Sequence, residues 1–235
     1  MASPYFYFAH LATMEKEFIL NENSSRHIVQ VLRMKPGENL RLTDGKGLSA
    51  IAVIREAHKK HCRVNIIEKK IHDPSNQNIQ IGVSLLKNAS RFEWFLEKAT
   101  ELGISKIIPL KCDRTEKQQF RMERLHSILE SAMIQSQQVW MPVLSEPKSF
   151  PDFVSEVNAD KKFIAHCEPG TKRRLNEMMI TNNGSVLILI GPEGDFTEEE
   201  IKLASQSGFM AVELGENRLR SETAAVVAAA LLKLH

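Results

Sequence analysis

SVLILIGPEGDFTEEE (residues 185–200) runs into FMAVELGENRLRSETA (209–224) and then AAVVAAALLKLH (224–235). Val186 to Ile190 is an unbroken apolar run that stops at Gly191-Pro192. Five apolar residues without a polar interruption predict a strand buried on both faces. Thr197 and Glu200 have capping-box spacing, which predicts a helix from Glu198, and Gly208 is placed to end it. Phe209 to Leu214 reads as the next strand, stopped by Gly215. Ser221 is then the expected cap of a last helix that is apolar almost all round. Two consecutive buried strands therefore each end in a glycine turn. Open parallel sheets bind ligands outside the carboxyl ends of their strands. Gly191, Gly194 and Gly215 lack a Cβ, so a ligand could lie against their backbone. Arg218, Arg220, Ser221, Glu222 and Thr223 form a polar cluster between that strand and that helix.

IGPEG, then LG, then LRSETA resembles the C-terminal signature of the knotted (SPOUT) RNA methyltransferases. Within them it is most similar to the enzymes that methylate N3 of a uridine in small-subunit (16S) ribosomal RNA. The resemblance implies a deep trefoil knot, S-adenosyl-L-methionine as cofactor and a homodimer. It also implies cofactor contacts at Leu189, Ile190, Gly191, Pro192, Gly194, Leu214, Gly215, Leu219, Arg220, Glu222 and Thr223.

Away from this stretch, composition sets bounds. A chain of 235 residues holds one large domain or two modest ones, and 43% hydrophobic content is that of a soluble globular protein. Cys62, Cys112 and Cys167 are far apart and form no C-x-x-C pair, which argues for buried reduced thiols over a zinc site or a disulfide framework. No metal is expected. The N-terminus lacks a basic segment before an apolar core, and the apolar stretch 223–232 is too short to span a bilayer, so a cytoplasmic protein without a membrane partner is expected. The net charge of +2 hides an asymmetry. Residues 1–72 carry 12 Lys+Arg against 7 Asp+Glu, or +5, and residues 73–235 carry 19 against 22, or −3. A basic first part suggests an anionic partner.

Residues 1–72 read as short strands with turns between them: Tyr5–Phe8, Asn39–Thr43, Leu48–Ile54 and Cys62–Ile67. Asp44-Gly45 is a hairpin signal, and Asn23, Ser24 and Ser25 are candidate caps of a short helix carrying His27, Ile28, Val31 and Leu32. This pattern suggests a small barrel. Gly45 and Gly47 precede a strand, so they are no dinucleotide fingerprint. In the resembling family this region is a PUA-like β-barrel that contacts RNA, and HIVQVLRMKPGE (27–38) is similar to its motif. Arg26, Arg33, Lys35 and Arg41 are the candidate phosphate contacts, because cations supply most sequence-independent RNA affinity.

HDPSNQN (72–78) reads as a linker, and βα alternation follows. Strands are expected at Ile79–Leu86, Ile104–Leu110 and Lys162–His166. Helices are expected at Arg91–Leu102, Gln119–Gln138, Pro151–Val157 and Thr171–Met179. Phe92, Phe95, Leu96, Ala99 and Leu102 share one helix face and are core residues. Strands separated by helices imply a parallel sheet covered on both faces. The fold class is α/β, with a parallel-sheet domain over 73–235 after a small β-barrel over 1–72. Lys98, Glu101, Leu102 and Gly103 match the family's K-x-x-E-L-G, Asp113-Arg114 its acidic-Arg pair, and His166 its histidine. Ile134 and Gln138 depart from it, with only Gln135 retained, and Asp195 stands where a second glycine is common.

Methyl transfer to an imide nitrogen needs alignment of donor and acceptor and a cation for the charge left on the flanking carbonyls. Arg220 is the first candidate for that cation and Arg114 the second. Glu222 could orient Arg220 or act as base, or the two could form a structural ion pair. His166 reads either as a satisfied strand-end histidine or as a substrate contact. Three readings stand: uridine-N3 methylation of small-subunit ribosomal RNA, methylation of another RNA such as a transfer-RNA ribose 2′-hydroxyl, and a non-catalytic ribosome-assembly factor. The apolar last helix also needs cover on every side, which either a twofold partner or an earlier helix of the same chain supplies.

Overall fold

The computed structural model describes residues 3–116, 119–178 and 184–234. The chain forms two units. One is the chain as far as Pro74 together with Met133–Met141, and the other is Ser75–Ala132 with the chain from Pro142 onward.

The first unit contains β1 (Tyr5–Tyr7), β2 (Glu17–Ile19), α1 (Glu22–Arg26), β3 (Asn39–Thr43), β4 (Leu48–Glu56) and β5 (Arg63–Ile71). The strands form one five-stranded sheet in the order β1-β3-β4-β5-β2. β1 runs parallel to β3 and the other pairs are antiparallel. Leu40 and Leu42, then Ala50, Ala52 and Ile54, then Val64 and Ile66 alternate inward, and Leu11, Leu20 and Ile28 close over them. Each such aliphatic side chain stabilises the unit by about 1.5–3 kcal/mol on burial. Asp44 Oδ1 accepts from the amides of Lys46 and Leu48, which fixes the expected hairpin turn. The α1 cap differs from expectation. Asn21, not Asn23, Ser24 or Ser25, accepts from the Ser24 amide, and the helix passes into a π-helical turn at His27–Val31. Segment 139–141 completes this unit. The Gly47 amide donates to the Val139 carbonyl, the Met141 amide to that of Gly45, and a Cβ at Gly47 would collide with the Trp140 indole.

The second unit runs β6 (Gln77–Ser84), α2 (Ala89–Glu101), β7 (Lys106–Lys111), α3 (Met122–Gln135, as far as Ala132), β8 (Val143–Leu144), β9 (Lys148–Ser149), α4 (Phe150–Glu156), β10 (Lys161–Ala165), β11 (Arg173–Arg174), β12 (Gly184–Ile190), α5 (Glu198–Gln206), β13 (Met210–Glu213) and α6 (Ser221–Lys233). Its sheet is parallel throughout, in the order β11-β13-β10-β12-β6-β7-β8, with β9 also on β7. β12 lies between β10 and β6, which is why Val186–Ile190 is apolar on both faces. Leu187 and Leu189 pack with Phe150, Phe153, Phe196 and Ala204 from the α4 and α5 side. Strand alternation turns Val186, Ile188 and Ile190 to the other face. The chain leaves β12 through α5, adds β13 beyond β10, and then returns so that α6 packs on β6, β12 and α2.

Two helix expectations change. Arg173 and Arg174 pair with Val212 and Glu213 at the sheet edge, so 171–178 is a short strand followed by a 3-10 turn at Leu175–Met178; Met179 lies outside the described residues. Ser221 is the first residue of α6, not its cap. Arg220 holds the cap position in extended backbone, without a side-chain cap bond. The cover over α6 comes in part from α2, whose buried face is Phe92, Phe95, Leu96 and Ala99. Cys62 and Cys112 are buried as expected, and burial pushes the Cys112 thiol up to about 12. Cys167 is exposed, contrary to expectation. Among the described residues no helix is long and apolar enough to cross a membrane, and no cluster of His, Cys, Asp and Glu could hold a metal ion.

Candidate functional site

Three strands of the second unit end at one place. Ala165 closes β10, Ile190 closes β12, and Val212 and Glu213 close β13. All four line a cavity of about 650 Å³ at the carboxyl edge of the sheet. This is where parallel α/β sheets place ligands, and the volume suits a small organic molecule. Around the rim stand His166, Cys167 and Lys172 after β10, the Gly191–Glu193 turn and Asp195 after β12, and Leu214 to Ser221 after β13.

Each loop is fixed by local chemistry. After β12, the Asp195 amide donates to the Pro192 carbonyl and Asp195 takes φ 64°, a left-handed conformation that aspartate tolerates better than most side chains. The capping box of α5 is present as read: Thr197 Oγ1 accepts from the Glu200 amide and Glu200 Oε2 from the Thr197 amide. Glu200 Oε1 also accepts from the Asp113 amide, tying the loop after β7 to the start of α5. At the end of β13 and just beyond it, Glu213 and Glu216 pair with Arg174 at 3.5 Å and 3.6 Å.

The three glycines play different parts. A Cβ on Gly191 would lie 3.2 Å from both the Phe196 ring and the Phe196 amide nitrogen, so its bareness serves the turn's packing more than a ligand. A Cβ on Gly194 would meet the Arg114 side chain at 3.2 Å. Only Gly215 of the three has nothing within 4 Å of its Cβ position, and it lines the cavity. Of the residues expected to hold a cofactor, Ile190, Gly191, Pro192, Leu214, Gly215, Leu219 and Arg220 line the cavity. Leu189 is buried in the sheet core, and Gly194, Glu222 and Thr223 are not among the lining residues.

No hydrogen bond or ion pair joins the three candidate catalytic residues to one another among the described residues. Arg220 is at the rim, and its guanidinium has no hydrogen-bond or ion-pair partner among the described residues. Arg114 Nη1 donates to the Gly194 carbonyl at 2.6 Å, which commits it to the Pro-Glu-Gly turn. Glu222 is 7% exposed and pairs with Arg91 of α2, not with Arg220. Its Oε2 is buried without a partner among the described residues. Arg91 is a residue that sequence reasoning missed; nothing local to either helix signals a contact between positions so far apart in the chain. Asp195, Cys167 and Lys172 were missed as lining residues, although the departure at Asp195 pointed there. His166 lies at the cavity, and both its ring nitrogens are covered and unpartnered among the described residues, unlike the satisfied histidine of the simpler reading. Burial first, and then the Lys172 ammonium, hold its pKa below the usual value.

In the first unit, Arg26, Arg33, Lys35 and Arg41 are all exposed. Arg26 pairs with Glu22 at 2.8 Å, and Arg41 stacks over the Tyr5 ring at 5.6 Å. Arg33 takes φ 55° just after the π-helical turn, and the side chains of Arg33 and Lys35 have no partner among the described residues.

Residues 73–233 match the model of an RNA methyltransferase domain, and residues 20–67 that of an RNA methyltransferase PUA domain. The chain is 28% identical to the ribosomal RNA small subunit methyltransferase E of Rickettsia conorii, over 96% of this chain and 93% of that protein. It is similar to the crystal structure of a probable rRNA-methyltransferase from Porphyromonas gingivalis, with 34% identity, TM-score 0.90 and 98% of each chain covered. It is similar also to a ribosomal RNA small subunit methyltransferase E from Neisseria gonorrhoeae bound to S-adenosyl methionine, with 28% identity, TM-score 0.87 and coverage of 99% of this chain and 98% of that one.

Proposed function

We propose, for a chain that belongs to the RNA methyltransferase family, that it methylates N3 of a uridine in small-subunit ribosomal RNA with S-adenosyl-L-methionine as donor. The relatives' shared description and the Neisseria gonorrhoeae structure support substrate and donor. The observation that carries the reading for this chain is the cavity at the carboxyl ends of β10, β12 and β13, bare at Gly215 and flanked by an unpartnered arginine.

The residues fit such a donor. The space in front of Gly215 is where a Cβ would otherwise intrude, and Gly191, Leu214 and Leu219 line the cavity beside it. The donor supplies an electrophilic methyl on a sulfonium. This chain's part is to align the acceptor and to hold the charge that appears on it. Loss of the N3 proton to solvent leaves a negative charge shared with the flanking carbonyl oxygens. Arg220, exposed and without a competing partner, is the cation for that charge. Glu222, turned to Arg91, acts on the loop through α6 and not on the imide proton.

The domain division follows the same reading. The first unit supplies affinity for the RNA backbone through Arg33 and Lys35 above all, and the second carries the chemistry. The implied trefoil knot belongs to it as well, supported by the return of α6 from beyond β10 to β6 and β12. So does the homodimer: Val226, Val227 and Leu231 stay partly exposed although α2 packs beside α6. Sedimentation tests that last point, and a monomer at micromolar concentration would remove it.

Methylation of purified small subunits, with mass mapping of the modified nucleotide, tests the function. A single methyl on the base of one uridine, at N3, is expected. A methyl on a ribose 2′-hydroxyl or on transfer RNA would replace the substrate assignment, and absence of donor binding by calorimetry would leave a non-catalytic RNA-binding factor.

A further inference from the structure

The cavity wall carries four carboxylates, Glu193, Asp195, Glu213 and Glu216, and two of them are paired with a cation. Glu213 and Glu216 pair with Arg174. Glu193 Oε1 accepts from one backbone donor, the Lys87 amide. Asp195 is held at both oxygens. Its Oδ2 accepts from the Cys167 amide at 2.6 Å and its Oδ1 from the Phe196 amide at 2.9 Å. Two backbone donors from two loops pin the carboxylate, and no cationic side chain bonds to it among the described residues. The cations lining the same cavity are Lys172, Arg218 and Arg220, and the Lys172 ammonium is bonded to the His166 carbonyl at 2.7 Å. Neutral hydrogen bonds leave the charge of Asp195 in place, at a fixed position beside the cavity.

The backbone conformation of the turn does not by itself call for an aspartate. At φ 64° a glycine would be at least as comfortable as an aspartate. An aspartate here costs some backbone strain and introduces a negative charge at the place where the ligand would lie. A fixed charge in a partly enclosed cavity acts on a ligand charge far more strongly than it would in water.

We propose that Asp195 makes this cavity selective for a cationic ligand, so that the sulfonium donor is held more tightly than the neutral sulfide left when its methyl has gone. This inference rests on the donor reading above. The two compounds, S-adenosyl-L-methionine and S-adenosyl-L-homocysteine, share the nucleoside, the ammonium and the carboxylate, and differ by the methyl and its positive charge. A carboxylate that senses the sulfonium weakens its hold when transfer removes that charge, which speeds release of the spent donor.

Calorimetric titration of the full-length protein with each compound separately tests it. Two variants are compared with wild type. Asp195→Asn keeps a residue that tolerates the left-handed backbone and removes the charge. Asp195→Gly relaxes the backbone and removes the side chain altogether, so loss of fold in the first variant would not decide the outcome. Both are expected to lower affinity for S-adenosyl-L-methionine by about five- to tenfold while affinity for S-adenosyl-L-homocysteine stays within about twofold. An unchanged ratio in both variants, or equal weakening of both compounds, overturns the role of Asp195. A wild-type protein that binds neither compound overturns the donor reading itself.

Discussion

Glu222 faces Arg91, with 3.6 Å between Oε1 and Nε, and so links the first turn of α6 to the first turn of α2. The pair joins α6, which packs on β6, to α2, next to the loop that carries Arg220. Arg91→Ala would leave a nearly buried carboxylate without its cation. We expect a loss of about 2 kcal/mol, less than for a fully buried pair because the Arg91 side chain is 35% exposed. Adding Glu222→Gln should return part of it. Urea unfolding of the two single variants and the double variant measures this, and strict additivity would show that the two side chains do not interact.

Gly191 is packed, not open. Gly191→Val would drive its side chain into the Phe196 ring and amide, and the expected cost is about 1–3 kcal/mol of stability. Thermal unfolding checks it. A variant as stable as wild type would mean that Phe196 moves aside freely.

Arg220→Ala should lower single-turnover methyl transfer by about 100-fold and leave the unfolding midpoint unchanged, because the guanidinium holds nothing in the fold. Arg114→Ala should do the opposite. Its tie to the Gly194 carbonyl makes it a stability residue, with a smaller effect on transfer. Equal losses of rate in both variants would move the transition-state cation away from Arg220.

His166 gives stability a pH dependence whose sign follows from burial. In the unfolded chain its imidazole takes up a proton below about pH 6.5, whereas in the folded protein it resists until the pH is lower. Between those two values the unfolded state binds more protons, so stability falls as the pH is lowered through that window. His166→Gln should flatten this part of the stability curve. An unchanged slope between pH 7 and 5 would assign the dependence to other groups.

For RNA affinity, Arg33 and Lys35 should outweigh Arg26 and Arg41, which already interact with Glu22 and Tyr5. Arg33→Gln with Lys35→Gln should reduce the slope of log affinity against log salt by about 1.5, and Arg26→Gln with Arg41→Gln by less. Filter binding to small-subunit RNA over a salt series measures both.

Much of this was legible in the sequence because it depends on neighbours along the chain. The apolar run of β12, the face of α2, the capping box of Thr197 and Glu200 and the Asp44-Gly45 turn are all settled within a few residues. The position of the cavity was legible too, since it follows from strands that end in glycine. What stayed hidden depends on residues remote in sequence. No local pattern says that Glu222 meets Arg91, or that Arg173 and Arg174 extend along β13. The exposure of Cys167 was hidden for the same reason, because its amide is held by Asp195 across two loops.

The place of residues 139–141 in the first unit bears on the order of events during synthesis. The hairpin at Asp44–Leu48 emerges from the ribosome early, yet the strand-like partner against which Gly45, Lys46 and Gly47 bond is made almost a hundred residues later. Until then the Gly47 site that receives the Trp140 indole stands open, and Met133 and Met141 have not yet been made to pack at Gly45. The N-terminal unit therefore cannot finish folding ahead of the rest, as a leading domain ordinarily would. It must wait, partly assembled, while β6, α2 and β7 are translated. A nascent chain stalled before residue 133 is expected to be cut faster by protease than one stalled well beyond residue 141, and limited proteolysis of ribosome-bound chains of the two lengths measures this.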